Sequence, residues 1–155
     1  YNKKNISVIR PFNFYGDYMN SHDNRIIPRF FYQAIKNQNI TVFSDGKQTR
    51  SYCYIDDAIK MITKICFSGR DFVYNVGNNS EEINAKDLAT LILKIAANST
   101  SDVIKVDYPD EYPKDEPMRR CPNIDKFVNE FQDYPKISLN EGLVKFYQYA
   151  KKNWG

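Results

Sequence analysis

Apolar residues recur along this chain at two spacings, and the switch between them marks out the elements. Residues 6–12 (Ile-Ser-Val-Ile-Arg-Pro-Phe) are β-branched and apolar, which suits a buried strand. Pro11 lacks the amide that a ladder needs, so the strand is predicted to end near Arg10. Residues 14–24 are polar, contain Gly16 and read as a loop. From Ile26 to Ile35 the apolar positions 26, 27, 30, 31, 34 and 35 form a helical stripe, with Pro28 near its start. Residues 40–43 are a short strand candidate, the turn residues Asp45 and Gly46 follow, and 51–54 is a candidate second arm.

Helical spacing resumes over 55–67, where Ile55, Ile59, Ile62 and Cys66 share one predicted face. Residues 72–76 read as a strand that Gly77 ends. Asn84 with Asp87 has the pattern of a helix N-cap, ahead of a stripe of Leu88, Leu91, Ile92 and Ile95. A strand is predicted over 103–107, a Pro-rich charged loop over 108–122 and a short helix over 123–131. Ser138 with Glu141 forms a capping box for a last helix with core face Leu139, Leu143, Phe146, Tyr147 and Ala150. Strands and helices alternate, so the fold class is α/β. Segments 6–10 and 72–76 look buried enough for a parallel sheet. Two such strands cannot make a doubly wound sheet alone, so the rest of that sheet is expected elsewhere. Without it, their edges and apolar faces are expected to be covered by another chain or copy.

Composition narrows the class. Of the 155 residues 42% are hydrophobic, enough for one domain with a packed core. Aromatics reach 15%, mostly Tyr and Phe, which could serve as stacking platforms for bases or as core and rim residues. The net charge is +3 with acidic and basic residues interleaved, which argues against a nucleic-acid-binding patch. A few arginines facing a diphosphate would fit that balance. Cys53, Cys66 and Cys121 lack any Cys-x-x-Cys spacing, which favours reduced thiols in a cytoplasmic protein. One histidine, His22, in a polar stretch is too little for a metal centre, and no apolar run has membrane-spanning length.

Six motifs then carry a resemblance. Arg10-Pro-Phe-Asn-Phe-Tyr-Gly16 resembles the strand-end pattern Arg-x-x-Asn-x-Tyr-Gly of the NAD-dependent epimerase/dehydratase family, within the extended short-chain dehydrogenase/reductase (SDR) superfamily. Ile27-Pro-Arg-Phe30 resembles the helix start that follows. The run from Thr41 to Arg50 with Tyr54-Ile-Asp-Asp57, the strand Tyr74-Asn-Val-Gly-Asn78, and Ser138-Leu-Asn-Glu-Gly-Leu143 match in the same order. Asp115-Glu-Pro-Met-Arg-Arg-Cys-Pro-Asn-Ile124 resembles Asp-Asp-Pro-x-x-Arg-x-Pro-Asp-Ile, with Asn123 where the family often has Asp. Gln48-Thr49-Arg50 and the 115–124 segment look most like the UDP-glucuronate decarboxylase branch.

The resemblance implies that residues 1–155 are the C-terminal part of a Rossmann-type extended SDR: its last sheet strands plus the small α/β substrate-binding domain. The NAD-binding half, with its Gly-rich loop and Tyr-x-x-x-Lys pair, would lie upstream of Tyr1. The implied function is the nucleotide-sugar-binding portion of an epimerase, dehydratase or decarboxylase that oxidises the sugar to a transient keto form. UDP-sugars are favoured, and a homo-oligomer is expected for the full-length enzyme.

Implied roles fall on particular residues. Arg50 and Arg120 would clamp the diphosphate, and Asn13 would meet a sugar or phosphate oxygen, or else cap a strand-end turn. Val42, Phe43 and Ser44 would lie against the base, Arg25 would touch the substrate, and Pro11 and Phe12 would pass the nicotinamide of NAD. Asp56 and Asp57 are expected to favour a helix N-terminus rather than act as paired catalytic carboxylates. Tyr15 and Tyr54 have the chemistry of general acids, but neither is followed at the right spacing by Lys, and no catalytic residue is assigned. The rival reading is a non-catalytic nucleotide-sugar-binding module.

Overall fold

A computed structural model of the chain describes residues 6–69, 72–110 and 115–155. In chain order the elements are β1 (Val8–Pro11), β2 (Phe14–Tyr15), α1 (Ile26–Ile35), β3 (Ile40–Phe43), β4 (Thr49–Ser51) and β5 (Cys53–Tyr54). They continue with α2 (Ile55–Phe67), β6 (Val73–Val76), β7 (Glu82–Asn84), α3 (Ala85–Ile95), β8 (Val103–Val106), β9 (Arg119–Arg120), α4 (Asp125–Phe131) and α5 (Leu139–Trp154). The class is mixed α/β, and parallel pairing dominates. β1 pairs with β6, β2 with β5 and β3 with β8, all parallel. β4 lies between antiparallel β7 and parallel β9.

Two apolar clusters hold these pieces. The larger one packs α1, α3 and α5 together through Phe30, Phe31, Leu88, Ile92, Leu143 and Phe146, all fully buried. Phe146 meets Phe31 edge-on at 5.6 Å and Tyr15 at 6.3 Å, favoured geometries for aromatic pairs. The smaller cluster seats α2 and α4 against β6 through Met61, Ile65, Tyr74, Val76, Ile124 and Phe127. Both predicted caps form: Asn84 Oδ1 accepts from Asp87 N at 2.8 Å, and Ser138 Oγ accepts from Glu141 N at 3.2 Å.

Several expectations need correction. Residues 40–43 and 51–54 are not two arms of a hairpin. Positive φ at Ser44 and Gly46 turns the chain away, so β3 pairs with β8 while β4 joins β7 and β9. A Cβ on Gly46 would sit 2.7 Å from Val42 Cγ1, so this turn requires glycine on two counts. The supposed loops 14–24 and 108–122 each contribute a two-residue strand, β2 and β9, too short to leave a periodic signal. β1 runs one residue further than expected, because the Pro11 position pairs with Val76 without needing a proline amide; Phe12 N then donates to Val76 O.

The buried face of α2 is Asp57, Ala58, Met61 and Ile65, not the predicted stripe; Ile59 is 55% exposed and Cys66 is exposed. Asp57 explains the rotation. Its Oδ2 accepts from both Lys136 N and Ile137 N at 2.8 Å, which turns that side of the helix inward. Asp56 and Asp57 do lie in the first turn of α2, as expected, but Asp57 also ties down the chain ahead of α5.

The β1–β6 pair is less covered than its sequence suggested. Tyr74 and Val76 are buried, yet Val8, Phe72 and Val73 are 49%, 51% and 43% exposed. In solution the 155-residue chain is therefore expected to bind a hydrophobic dye such as ANS or to self-associate. A monodisperse monomer with dye binding at the level of ordinary soluble domains would contradict this.

Asp133 joins α2 to the segment after α4. Its carboxyl is held far below the usual carboxylate range by hydrogen bonds from Lys64 and then Lys60. A depressed folded-state pKa stabilises fully above the unfolded value of about 3.9 and is lost as pH falls towards the folded value. Asp133→Asn is expected to lower stability at neutral pH and to flatten the acid limb of a urea-melt series. Parallel wild-type and variant curves would rule the link out.

Candidate functional site

The site is built on β4 and β9. Their parallel register sets Thr49 opposite Arg119 and Arg50 opposite Arg120. Facing residues in a strand pair project to the same side. Arg50 and Arg120 therefore lean one way, while Arg119 goes the other way to an exposed ion pair with Glu82. Arg50 is only 9% exposed. Its Nη1 donates to Thr49 O at 2.8 Å and its Nη2 lies 2.5 Å from Glu116 Oε1. Arg120 Nη2 reaches the same oxygen at 3.2 Å.

These cations open onto a cavity of about 250 Å³. Its walls are the start of α1, the end of β3, the turn at Gly46 and the loop that carries Glu116. Asn13, Arg25, Phe43, Arg50 and Arg120, five of the residues singled out from the sequence, line it. Val42 is in the core below, Ser44 forms the turn, and Pro11 and Phe12 at the end of β1 are also outside the lining.

Asn13 has φ +47°, and its Nδ2 donates to Ser51 O at 2.8 Å. The strand-end role therefore takes the donor and leaves Oδ1 as the side chain's acceptor. Arg25 stands at the rim with its guanidinium on Asp23, at 3.0 Å through Nε and 2.5 Å through Nη2. That pairing holds the Asp23 carboxyl below its ordinary range and leaves Arg25 little net charge to offer.

Other residues of the site were not picked out from the sequence. Arg29 lines the cavity, donates to Thr41 O at 3.2 Å and lies 4.4 Å over the Phe43 ring, a cation–π distance. No cue marked it in the sequence, because position 29 lies off the α1 apolar stripe, where an arginine is ordinary. Phe43 also packs beside Tyr108 at 5.8 Å, and the Tyr108 hydroxyl accepts from Gln48 Nε2. Glu116 stands four residues before Arg120, but only the fold brings it to Arg50 as well.

Neither tyrosine weighed as a general acid suits proton transfer. Burial pushes the Tyr15 hydroxyl far above its ordinary range, and it donates to Leu139 O at 3.3 Å. Burial, then the neighbouring Asp17, does the same to Tyr54, whose hydroxyl donates to Asp17 Oδ1. The two Tyr-x-x-x-Lys spacings in the described residues, Tyr32–Lys36 and Tyr147–Lys151, lie outside the cavity lining. Asn123 keeps the 115–124 segment in order without a charge: its Oδ1 accepts from Asp125 N at 2.9 Å at the start of α4. No group of three or more His, Cys, Asp or Glu among the described residues could hold a metal, and no helix there is long and apolar enough to cross a membrane.

The chain has relatives among known proteins. The profile of the "NAD dependent epimerase/dehydratase family" matches residues 1–77. UDP-glucuronic acid decarboxylase 1 of Arabidopsis thaliana is 32% identical over 90% of this chain and 31% of that protein. Its namesake in Danio rerio is 31% identical over 95% of this chain and 34% of that protein. The chain thus spans about a third of the length of the curated relatives it matches. Among solved structures, UDP-glucuronic acid 4-epimerase from Bacillus cereus, in complex with UDP-glucuronic acid and NAD, superposes with a TM-score of 0.80 at 27% identity. That match covers 94% of this chain and 45% of the epimerase. UDP-glucose 4-epimerase from Thermotoga maritima shares the fold with a TM-score of 0.86 at 21% identity, over 96% of this chain and 47% of that one. The matched profile, the relatives aligned along nearly the whole chain and the superposed structures agree: this chain belongs to the NAD-dependent epimerase/dehydratase family.

Proposed function

We propose that this chain is the substrate-binding portion of an NAD-dependent enzyme that epimerises, dehydrates or decarboxylates a nucleotide sugar, with a UDP-sugar as the favoured ligand. The observation that carries the reading is the convergence of Arg50 and Arg120, from strands in register, beside Phe43 in one cavity. A guanidinium fork matches two phosphate oxygens, and two forks suit a diphosphate. Phe43, backed by Arg29, offers a flat face to a base. Asn13, which lines the same cavity and has Nδ2 committed to Ser51 O, presents Oδ1 as an acceptor for a sugar hydroxyl. Anchoring the diphosphate remotely holds the sugar in place for chemistry at another carbon. The decarboxylase relatives favour decarboxylation among the three outcomes.

The residues present fit one side of NAD. β1 and β6 are parallel, and ligands of open α/β sheets bind beyond the carboxyl ends of such strands. Pro11 and Phe12 stand at that end. A Cβ on Gly77 would come within 2.9 Å of Phe12 Cβ, so glycine there lets the chain pass close. These residues would pass the nicotinamide, while the described residues offer no Gly-rich loop for its phosphates. NAD bound there would supply reversible hydride transfer at a sugar carbon, the chemistry that gives access to a transient keto-sugar. The residues of this chain bind, orient and surround the sugar nucleotide. Three free thiols suit a cytoplasmic setting, and a homo-oligomer is the expected assembly of the full enzyme.

A second reading, a binding module without redox chemistry, draws on the lack of a Tyr–Lys pair at the cavity among the described residues. Activity separates the two. The 155-residue chain alone is expected to bind UDP-glucuronate by calorimetry and to show no NAD-dependent turnover. Turnover by this chain would overturn its role as a portion. If the longer protein also proved inactive, the module reading would stand. Arg50→Ala should weaken UDP binding by about tenfold or more, the scale of a lost charged hydrogen bond. Phe43→Ala should weaken UDP by about tenfold, the scale of one base–aromatic stack, and leave inorganic pyrophosphate unchanged. Equal loss for both ligands would remove Phe43 from the base-binding wall.

A further inference from the structure

We infer that Glu116 is a built-in competitor for the diphosphate, a carboxylate that holds the two arginines together until the ligand displaces it. The inference rests on the reading of this cavity as a nucleotide-sugar site. One oxygen, Glu116 Oε1, serves both cations, at 2.5 Å to Arg50 Nη2 and 3.2 Å to Arg120 Nη2. It therefore occupies the position where a phosphate oxygen bridging the two guanidiniums would sit.

Charge makes the two occupants exclusive. The two arginines supply two positive charges, and Glu116 cancels one. A diphosphate brings about two negative charges. With the carboxylate in place, three negative charges would crowd two guanidiniums, and like charges at such range are strongly unfavourable. Without any anion, the buried Arg50 would be left an unbalanced charge, which is also costly. The carboxylate thus stabilises the unliganded site and opposes the ligand.

The local chain lets Glu116 leave without dismantling the site. Thr49 N donates to Met118 O at 2.9 Å, which pins the backbone two residues downstream. β9 begins only after that anchor. Rotation of the Glu116 side chain therefore frees both guanidiniums while Arg50 and Arg120 stay in register. An anion too weak to outcompete a carboxylate gains little here, so Glu116 also selects for a diphosphate over singly charged groups.

The test compares wild type with Glu116→Gln, using UDP, inorganic pyrophosphate and uridine by calorimetry, with thermal melting of the free proteins. The expected result is UDP and pyrophosphate binding tighter by about tenfold, unchanged uridine binding and a lower melting temperature without ligand. A residue that merely holds the arginines in place would lower the melting temperature and weaken the ligands. Should Glu116→Gln fold poorly, Glu116→Asp keeps the charge with a shorter reach and is expected to shift both readouts in the same directions by less. Wild-type binding of UDP with equal or weaker pyrophosphate binding in the variants overturns the competitor and leaves the nucleotide reading intact. Absence of UDP binding in every variant and in wild type overturns that reading and the competitor with it.

Discussion

The pairing of β4 with β9 is the constraint on which the site depends. It joins residues about seventy positions apart along the chain and sets Arg50 opposite Arg120. Had the register slipped by one towards the C-terminus, Cys121 would stand opposite Arg50 and Arg120 would turn to the other face. Two features keep it in place. Thr49 N is bonded to Met118 O, and Arg50 Nη1 bridges Thr49 O and Met118 O, so the arginine side chain itself staples the two strands. β7 closes the other edge of β4, with Glu82 tied to Arg119 across the sheet. The residue that supplies the buried charge thus also fixes the geometry in which that charge is useful.

Much of this architecture was legible in the sequence, and the reason differs by element. The α1, α3 and α5 faces were readable because an amphipathic helix writes its partner surface into its own spacing, and Asn84 and Ser138 signal their caps locally. The face of α2 was not readable, since it is set by a bond from Asp57 to backbone some eighty residues away. Strands of two residues carry no period at all, so β2 and β9 could only emerge from pairing. The site followed the same divide. Arg50, Arg120, Phe43 and Asn13 drew notice through motif resemblance. Arg29 and Glu116 belong to the site through tertiary neighbours, and Val42, singled out with them, belongs to the core instead.

The cavity also shows how the chain divides cost between its two clusters. The larger aromatic cluster is closed and self-sufficient, with Phe146 touching Phe31, Tyr15 and Trp154. Beside it stands a costlier rim: a buried guanidinium that needs an anion partner, a left-handed Asn13 and a glycine-dependent turn. The smaller cluster is different. In β6 only the alternate residues Tyr74 and Val76 are buried, β1 has no buried residue, and Lys126 of α4 lies 4.2 Å over the Phe72 ring and 4.6 Å over that of Tyr74.

This difference bears on how the pieces act together. Pro11, the last residue of β1, and Phe12 after it are linked to the cavity by only the short step to Asn13, and Cys53 N donates to Asn13 O across it. A ligand held by Arg50 on β4 and a group held at the end of β1 would therefore meet at Asn13, whose left-handed backbone sets the angle between the two. The amide of Asn13 is already committed to Ser51 O, next to Arg50. The strand that carries Arg50 thus also sets the orientation of the Asn13 side chain. Asn13 is therefore tied to this segment through both its side chain and its carbonyl, so a shift of β4 would be transmitted to Asn13 through those two hydrogen bonds.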